Sequence, residues 1–515
     1  MRNTLLALSL GCSLGITGFL EAKAPSAGTP AAKKTQSTAN TGTAKLFKAK
    51  THQRAKAESM SAEHPFMQAL MQAYTTNPDL KAKVKEQNVL AENLPKAYAG
   101  WRPSITGSAT AGYDKQTDQV TRNNSGQSTG RSTASSHPKT AGLEVRQNIF
   151  EGGKTLANTT FAENQILSGN ADFTATEQAV LVKAIRAYLE LWARRQQLEI
   201  TRTSVRFYEF SLEQAQARAD VGEIGLTEVS EAKFSYEAAL ADFVSAEAEV
   251  QNATAAYISV IGHQPPKELV LPSDISERVT LPLTLEDLKN ITAKENPTIQ
   301  KAIFDAKAAE ADIDIKTASL MPKVDLVGNG SRGLSNRYRG SRINDISAKV
   351  EVSVPLYQGG AEWATIRASH QTAAQKAIEV RSARNQTMQA AIQAWEKRYA
   401  SKERVKRLEA QIKAGETRIE GTRQESLVGE RTLLDVLNAQ KDVVNARISL
   451  VNARSDFLTS GYEVLAVMGH LSTALLKLPV QKYDVKGYAQ ETGGRYIGWG
   501  DVPSREEIRD AAGSN

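Results

Sequence analysis

The chain has 515 residues, a formal net charge of +7 and a single cysteine, Cys12. A single compact core rarely grows this large, so we expect several domains or an elongated shape. Cys12 lies in a segment predicted to be removed, which excludes disulfides and thiolate metal sites from the mature protein. Beyond that segment no stretch is apolar over the roughly 18 residues that a membrane helix needs.

Residues 1–24 have the features of a secretory signal peptide. A basic start and an apolar stretch from Leu5 to Leu20 precede Ala22-Lys23-Ala24, which resembles a cleavage site. A lipoprotein would carry an apolar residue three positions before its cysteine, but Ser9 stands three positions before Cys12. The sequence therefore predicts an exported protein without a lipid anchor.

Residues 25–60 are predicted to form a disordered basic linker. This segment contains seven basic residues and one acidic residue, so it carries +6 of the total charge of +7. It is also rich in Ala, Thr, Ser and Gly, which is typical of disorder. A nucleic-acid-binding arm would interleave aromatic residues with the charges, and this segment does not, so no nucleic-acid partner is predicted.

The rest of the chain is a tandem duplication with copies at residues 61–263 and 283–472, joined by a linker at 264–282. Several landmarks occur twice, first 219 and then 207 positions apart. They are Asn77-Pro78 with Asn296-Pro297 and Pro103 with Pro322 at 219, and Gly152-Gly153 with Gly359-Gly360, VGEIGLTEVSEA from Val221 with VGERTLLDVLNA from Val428, and His263 with His470 at 207.

The change in separation locates an exposed loop in the first copy. Twelve extra residues must lie between Pro103 and Gly152, an interval that contains the polar stretch from Gln116 to Pro138. Surface loops tolerate insertions, whereas packed elements do not. Each copy is therefore predicted to run helix, strand, loop, strand and a very long helical region.

The strands are predicted from alternation of apolar and polar residues. Leu143 and Val145 alternate with charged residues, as do Val350, Val352 and Val354 in the second copy. The apolar face could be the core of a soluble sandwich or the lipid-facing side of a membrane barrel. Four strands cannot close a barrel, so several chains must share one if the strands span a membrane.

The helical regions from Gly153 to Gly222 and from Gly360 to Gly429 each cover 69 positions. Each would be roughly 100 Å long if continuous. Apolar stripes at three- and four-residue spacing indicate coiled-coil packing, and an ordinary antiparallel bundle fits the periodicity equally well. The stripes are Leu181, Ala184, Tyr188 and Leu191; Val182, Ile185, Leu189 and Trp192; and Met388, Ile392, Trp395 and Tyr399.

Together, the duplication, the NP-x-L helix start, PLYQGG and VGERTLLDVLNAQ resemble the TolC family of outer-membrane factors. The resemblance covers about residues 61–472 and implies a mixed α and β membrane protein. Its fold would be a trimeric, twelve-stranded β-barrel, with four strands per chain, continued by a long periplasmic α-helical barrel. The C-terminal region, residues 473–515, would contribute an equatorial segment followed by a disordered tail.

The same resemblance implies an outer-membrane channel for efflux or type I secretion in a Gram-negative bacterium. Its partners would be two further copies of the chain, outer-membrane lipid, a periplasmic adaptor (membrane fusion protein) and an inner-membrane RND, ABC or MFS transporter. No HExxH, glycine-rich phosphate loop or Ser-His-Asp arrangement is present, so we predict a non-enzyme without cofactor or metal. A periplasmic coiled-coil adaptor and a structural envelope protein are the alternatives.

The resemblance also implies a gate at the periplasmic tip. Gly222 and Gly429 match the turns between paired helices, where the adaptor docks. Asp435 matches an aspartate that rings the constriction, and Asn438 stands in place of the family's second aspartate. The resemblance therefore predicts one carboxylate ring where the family has two.

A latch of the closed state is the second implied feature of this tip. Arg431 and Glu228 match an Arg–Asp pair, Thr227 matches a residue beside it, and Ser426 replaces the latch tyrosine. Arg431 precedes Asp435 by four positions, so we expect the two on one helical face. Glu228 has the same register in the first copy as Asp435 in the second, which places Arg431 near Glu228.

Overall fold

A computed structural model describes residues 65–118, 125–126, 132–277, 279–335, 340–481, 483, 485–498 and 502–511. The predicted signal peptide and basic linker lie outside these residues. Among the helices of the described chain, none combines the length and apolar character needed to cross a membrane.

The first half contains five helices and four strands among its described residues. The helices are α1 (Pro65–Thr76), α2 (Pro78–Ala91), α3 (Asn93–Tyr98), α4 (Lys154–Asp220) and α5 (Leu226–Ile261). The strands are β1 (Ser104–Ala111), β2 (Asp114–Asp118), β3 (Ser132–Ser136) and β4 (Lys139–Glu151). We call α4 and α5 the first hairpin.

The second half repeats the long helices at the same lengths. Both α4 and α8 have 67 residues, and both α5 and α9 have 36. The elements are α6 (Leu285–Glu295), α7 (Pro297–Thr317), β5 (Lys323–Leu334), β6 (Arg342–Ser353), α8 (Ala361–Leu427), α9 (Leu433–Met468), α10 (Val485–Gly493) and α11 (Arg505–Ala511). We call α8 and α9 the second hairpin.

The two Asn-Pro pairs begin matching helices. The side chain of Asn77 accepts a hydrogen bond from the N–H of Leu80, and Asn296 accepts from Thr298 and Ile299. Asparagine is a favoured N-cap, and proline suits the first helical position because its missing N–H would have no partner there. These pairs therefore fix the starts of α2 and α7.

The main sheet is antiparallel with strand order β1-β4-β5-β6. In its register, Val145 of β4 lies between Ile105 of β1 and Gly328 of β5. Apolar side chains of this sheet are exposed in the single chain; Ile346, for example, is 91% exposed. The outer edges of β1 and β6 have no neighbouring strand among the described residues.

The sequence predicted that the polar stretch from Gln116 to Pro138 is a loop, but part of it forms strands. β2 and β3 pair as a separate antiparallel ladder, in which Asp114 lies opposite Ser136 and Asp118 opposite Ser132. Apart from Ala134, the residues of these strands are polar, so the strands lack the alternation that identifies a half-buried strand. Residues 119–124 and 127–131 of the loop lie outside the described part.

The largest core, which we call the equatorial cluster, packs around the middle of α4. Leu181, Ala184, Tyr188 and Leu191 form the predicted first stripe of α4, and all are completely buried. Phe66 of α1 meets the Tyr188 ring edge-on, with centroids 5.1 Å apart. Aromatic pairs of this geometry add to the apolar area that burial removes from water.

The matching stripe of α8 is only partly covered. Tyr399 is 70% exposed and Ile392 is also exposed, whereas Met388 and Trp395 are half-buried. The apolar stripe of α4 is therefore covered by other parts of the chain, as coiled-coil packing predicts. One side of α8 has no packing partner among the described residues.

Two pairs of helices stack end to end and connect the hairpins to the sheet. At the first junction, the Asn296 side chain at the start of α7 donates 2.8 Å to the carbonyl of Val467 near the end of α9. At the second, Thr76 before α2 donates 2.9 Å to the carbonyl of Ile261 at the end of α5. Because α7 leads to β5 and α2 leads towards β1, each stack forms one helical column below a strand.

The C-terminal region wraps back onto the first half. Leu471, Leu476 and Leu478 enter the equatorial cluster. Further on, Arg102 donates 2.8 Å to the carbonyl of Arg495 and stacks 3.9 Å from the ring centroid of Tyr496. The C-terminal region, which the sequence predicted to end in a disordered tail, contains the helices α10 and α11 among its described residues.

The α9–α7 junction depends on a glycine. Gly469 has φ +84°, and a Cβ there would overlap the carbonyl oxygen of Glu295. Gly360 has φ +82° but open space around it, so it is a matched control. A left-handed alanine costs about 1–2 kcal/mol by itself. Gly360→Ala should show only that cost, and Gly469→Ala should lower the thermal unfolding midpoint further; equal midpoints would show that the junction tolerates the methyl group.

Candidate functional site

The turns at the far ends of the two hairpins have the same backbone. Gly222 and Gly429 follow α4 and α8 with φ values of +78° and +82°, and both accept the left-handed conformation that other residues resist. In the first turn, Glu223 N–H donates 2.9 Å to the carbonyl of Arg218. The second turn has the corresponding bond from Glu430 to Glu425. Both are Schellman C-caps, so these glycines lie at the turns, as the sequence predicted.

Large apolar side chains surround both turns without cover. Val221 and Leu226 flank the first turn, and Leu427 and Val428 precede Gly429; each is more than two-thirds exposed. Scattered exposed apolar residues are ordinary, but four of them concentrated at two neighbouring turns favour a protein contact.

Asp435 lies in the first turn of α9 as part of a capping box. Its N–H donates 3.2 Å to the Thr432 hydroxyl, and its carboxylate accepts from the Thr432 N–H at 3.1 Å and hydroxyl at 2.9 Å. Hydrogen bonds from the Thr432 hydroxyl and then its N–H hold the pKa of Asp435 below its usual value. The carboxylate is thus charged and fixed at the tip.

The sequence analysis missed the capping role of Thr432, although the signal was present. A Thr followed three residues later by an acidic residue is the usual form of this motif. The predicted role at a constriction is compatible with this capping role, because a carboxylate that caps a helix keeps its charge.

Arg431 is not on a helix, so the prediction that it shares a helical face with Asp435 is wrong. α9 begins at Leu433 because Thr432 is its N-cap. Arg431 lies in the turn, and its Nε is 3.2 Å from the carboxylate of Glu425. Within one chain its ion-pair partner is therefore Glu425.

Glu228 occupies the third position of α5, as Asp435 does in α9. The N-cap of α5 is Gly225, which offers no side chain for capping. The ion pair across this turn joins Arg218 to Glu223 at 2.7 Å. The carboxylate of Glu228 is thus without the capping bonds that fix Asp435.

Thr227 and Asn438 line one cavity of about 630 Å³ between α4, α5 and α9. Tyr208 also lines it, and its hydroxyl donates 3.3 Å to the carbonyl of Leu437. Burial raises the pKa of Tyr208 to about 12. This contact joins the two hairpins within a chain, and the sequence gave no signal for it beyond an aromatic residue at helical spacing.

Across the part of the chain that the structure describes, no group of three or more His, Cys, Asp or Glu side chains could hold a metal ion. The described tip thus offers fixed charges, uncovered apolar side chains and two glycine turns.

The chain belongs to the outer membrane efflux protein family, whose sequence model matches residues 69–263 and 288–470. It is 28% identical to the outer membrane efflux protein BepC of Brucella suis over 84% of this chain and 91% of that protein. It is 26% identical to the outer membrane protein TolC of Vibrio cholerae over 78% of this chain and 90% of that protein.

A solved structure has the same fold. The Campylobacter jejuni CmeC outer membrane channel aligns with a TM-score of 0.69 and 15% identity, covering 84% of this chain and 89% of that one. The protein is therefore an outer-membrane efflux protein that extends into the periplasm of a Gram-negative bacterium.

The capping box at Thr432 and Asp435 should make the start of α9 less stable at low pH. Because the folded-state pKa of Asp435 is lowered, its contribution is present above the unfolded pKa of about 4 and is lost as the pH falls through the folded value. Amide exchange protection in the first turn of α9 should fall on acidification, and Asp435→Ala should remove both that protection and its pH dependence.

The matched variant is Glu228→Ala at the same position of α5. It should leave protection in its own helix unchanged, since Gly225 offers no capping side chain. Equal losses in the two helices would show that charge near the helix end, rather than the capping box, accounts for the protection.

Proposed function

We propose that the protein is a passive export duct, formed by three copies of the chain, that a periplasmic adaptor and an inner-membrane RND, ABC or MFS pump open and supply. The single observation that carries this proposal is the four-stranded sheet with open outer edges above two long helical hairpins.

The trimer follows from what one chain leaves uncovered. In lipid, the unpaired backbone groups of β1 and β6 would have no water to bond, so closure through further copies satisfies them. Three chains of four strands give twelve, and the exposed apolar residues of the sheet would then face outer-membrane lipid. The same arrangement gives the exposed stripe at Ile392 and Tyr399 a neighbouring helix.

The periplasmic part of the duct is built by the hairpins and their stacked columns. A helix of 67 residues, such as α4 or α8, is about 100 Å long. Three copies would surround a tunnel about 100 Å long. The tunnel would be continuous with the barrel, because α7 leads directly into β5 along the chain.

The tip is the gate of this duct. Three copies of Asp435 would form one acidic ring, and the Asn438 copies would form no second one, so cation preference at the entrance is modest. The turns at Gly222 and Gly429, with their exposed apolar neighbours, are the surface for the adaptor. Its docking would cover apolar area that the closed channel leaves in water.

The closed state requires contacts that an adaptor can replace. Within a chain Arg431 pairs with Glu425, which faces it across the turn. In the trimer we place Arg431 of one hairpin next to Glu228 of another, with Thr227 beside the contact. Three exposed pairs of about 0.5 kcal/mol each shift an open population about tenfold.

Single-channel recording of the full chain in planar bilayers tests both the gate and whether Glu228 or Glu425 is the partner of Arg431 that holds it closed. Arg431→Ala and Glu228→Ala should each raise the open probability about tenfold, and the double variant should be no more open than either single one. Glu425→Ala is the control that removes only the pair within the turn.

The outcomes separate three accounts. An unchanged Glu425→Ala with open Glu228→Ala channels supports the latch between hairpins. The reverse pattern would assign the latch to the turn itself, and complete absence of conductance in the unsubstituted protein would contradict the duct.

A further inference from the structure

A second groove, of about 680 Å³, lies far from the tip, beside the junction of α9 and α7. Parts of α4, α7, α8 and α9 line it. On α4 the lining residues include Ala175, Gln178, Ala179 and Arg186. At 100° per residue Ala175, Ala179 and Arg186 lie on the side of α4 opposite Tyr188, whose stripe enters the equatorial cluster, and Gln178 lies between the two sides.

The charged residues that line this groove are unbalanced. Lys183, Arg186 and Lys397 are cationic, and Glu463 is the one carboxylate among the lining residues of the described chain. Glu463 is shared, with Arg186 at 2.8 Å and Lys397 at 2.9 Å. Three cations against one carboxylate leave a charge of +2 in each groove.

Polar groups on the groove wall also favour an anion. Gln178 is 4% exposed, and its Nε2 has no hydrogen-bond partner in the described part of the protein. An orphaned buried donor of this kind requires an explanation such as a bound molecule. Asn296 and Thr298, at the start of α7, add further polar side chains to the lining of the groove.

The remaining lining is small and apolar. The lining includes Ala175 and Ala179 of α4, Ala390 and Ala394 of α8, and Val467 of α9. A floor of short side chains leaves room for an apolar body between the helices. The longer side chains of Lys183, Arg186 and Lys397 line the same groove and bring the positive charge to it.

We propose that this groove is a binding site for amphipathic organic anions in transit, with the carboxylate or phosphate group at Lys183 and Arg186 and the apolar body on the alanine floor. The inference rests on the proposed trimeric duct, with the face of α4 that carries Arg186, opposite the equatorial cluster, lining the passage. Three grooves would then form a basic belt in the middle of the tunnel, and such charged rings bias permeation towards the opposite charge.

Reversal potentials across planar bilayers test the site, with potassium benzoate as the amphipathic probe and potassium chloride as the reference. The double variant Lys183→Gln/Lys397→Gln should lower the benzoate-to-potassium permeability ratio about threefold and the chloride ratio less. Glu463→Gln should shift the benzoate ratio in the opposite direction, because it removes the one carboxylate.

Lys406→Gln is the matched control. Lys406 lies nine residues after Lys397 on α8, half a helical turn round, so its neutralisation should change neither ratio. Equal changes in chloride and benzoate would overturn the amphipathic part of the proposal, and unchanged ratios in all variants would overturn it entirely. If the unsubstituted protein conducts nothing, the duct itself fails, which is a different result from a conducting channel that ignores these charges.

Discussion

The constraint on which the rest of the structure depends is the unpaired backbone at the edges of the four-stranded sheet. Each edge presents N–H and C=O groups that lose water when the sheet enters a hydrocarbon layer, and each unsatisfied group costs several kcal/mol. β1 and β6 cannot satisfy each other within one chain, because β4 and β5 lie between them. In the proposed duct, further copies of the chain supply the missing partners, and the helices below the sheet follow the same symmetry.

The stacked helical columns transmit that symmetry to the tip. Asn296 and Gly469 hold α7 on the end of α9, and Thr76 joins α2 to α5. Because Ile261 of α5 and Met468 of α9 lie in the equatorial cluster beside these junctions, we expect the sheet and the hairpins to move together there. An opening motion is therefore expected in the hairpins between the equatorial cluster and the tip, where Tyr208 of α4 donates a hydrogen bond to the carbonyl of Leu437 of α9.

Much of this architecture could be predicted from the sequence, because the duplication marks matching positions in the two halves. Glycine is also the residue that most readily adopts the left-handed backbone at a helix end, so a repeated glycine marks a turn. Gly222 and Gly429 are at the helix turns for that reason. Arg431 was misplaced because a four-residue interval was read as helix without considering that Thr432 would cap it. The polar ladder of β2 and β3 has no periodic signal, and the basic groove joins four helices whose packing no local pattern contains.

The tip and the groove together suggest how one duct handles charge. Asp435 contributes a carboxylate at the entrance, whereas Lys183 and Arg186 contribute cations near the junction of α9 and α7. In the proposed duct, the cations of the groove would offset the cation preference that the Asp435 carboxylates give to the entrance. This account holds only if several chains enclose one passage.

The number of chains in the purified, detergent-solubilised particle tests that claim most directly. Native mass spectrometry should give three copies, with circular dichroism showing intact strand and helix signals. A stable monomer with the same spectrum would contradict the account, because its sheet would then be stable with both edges open.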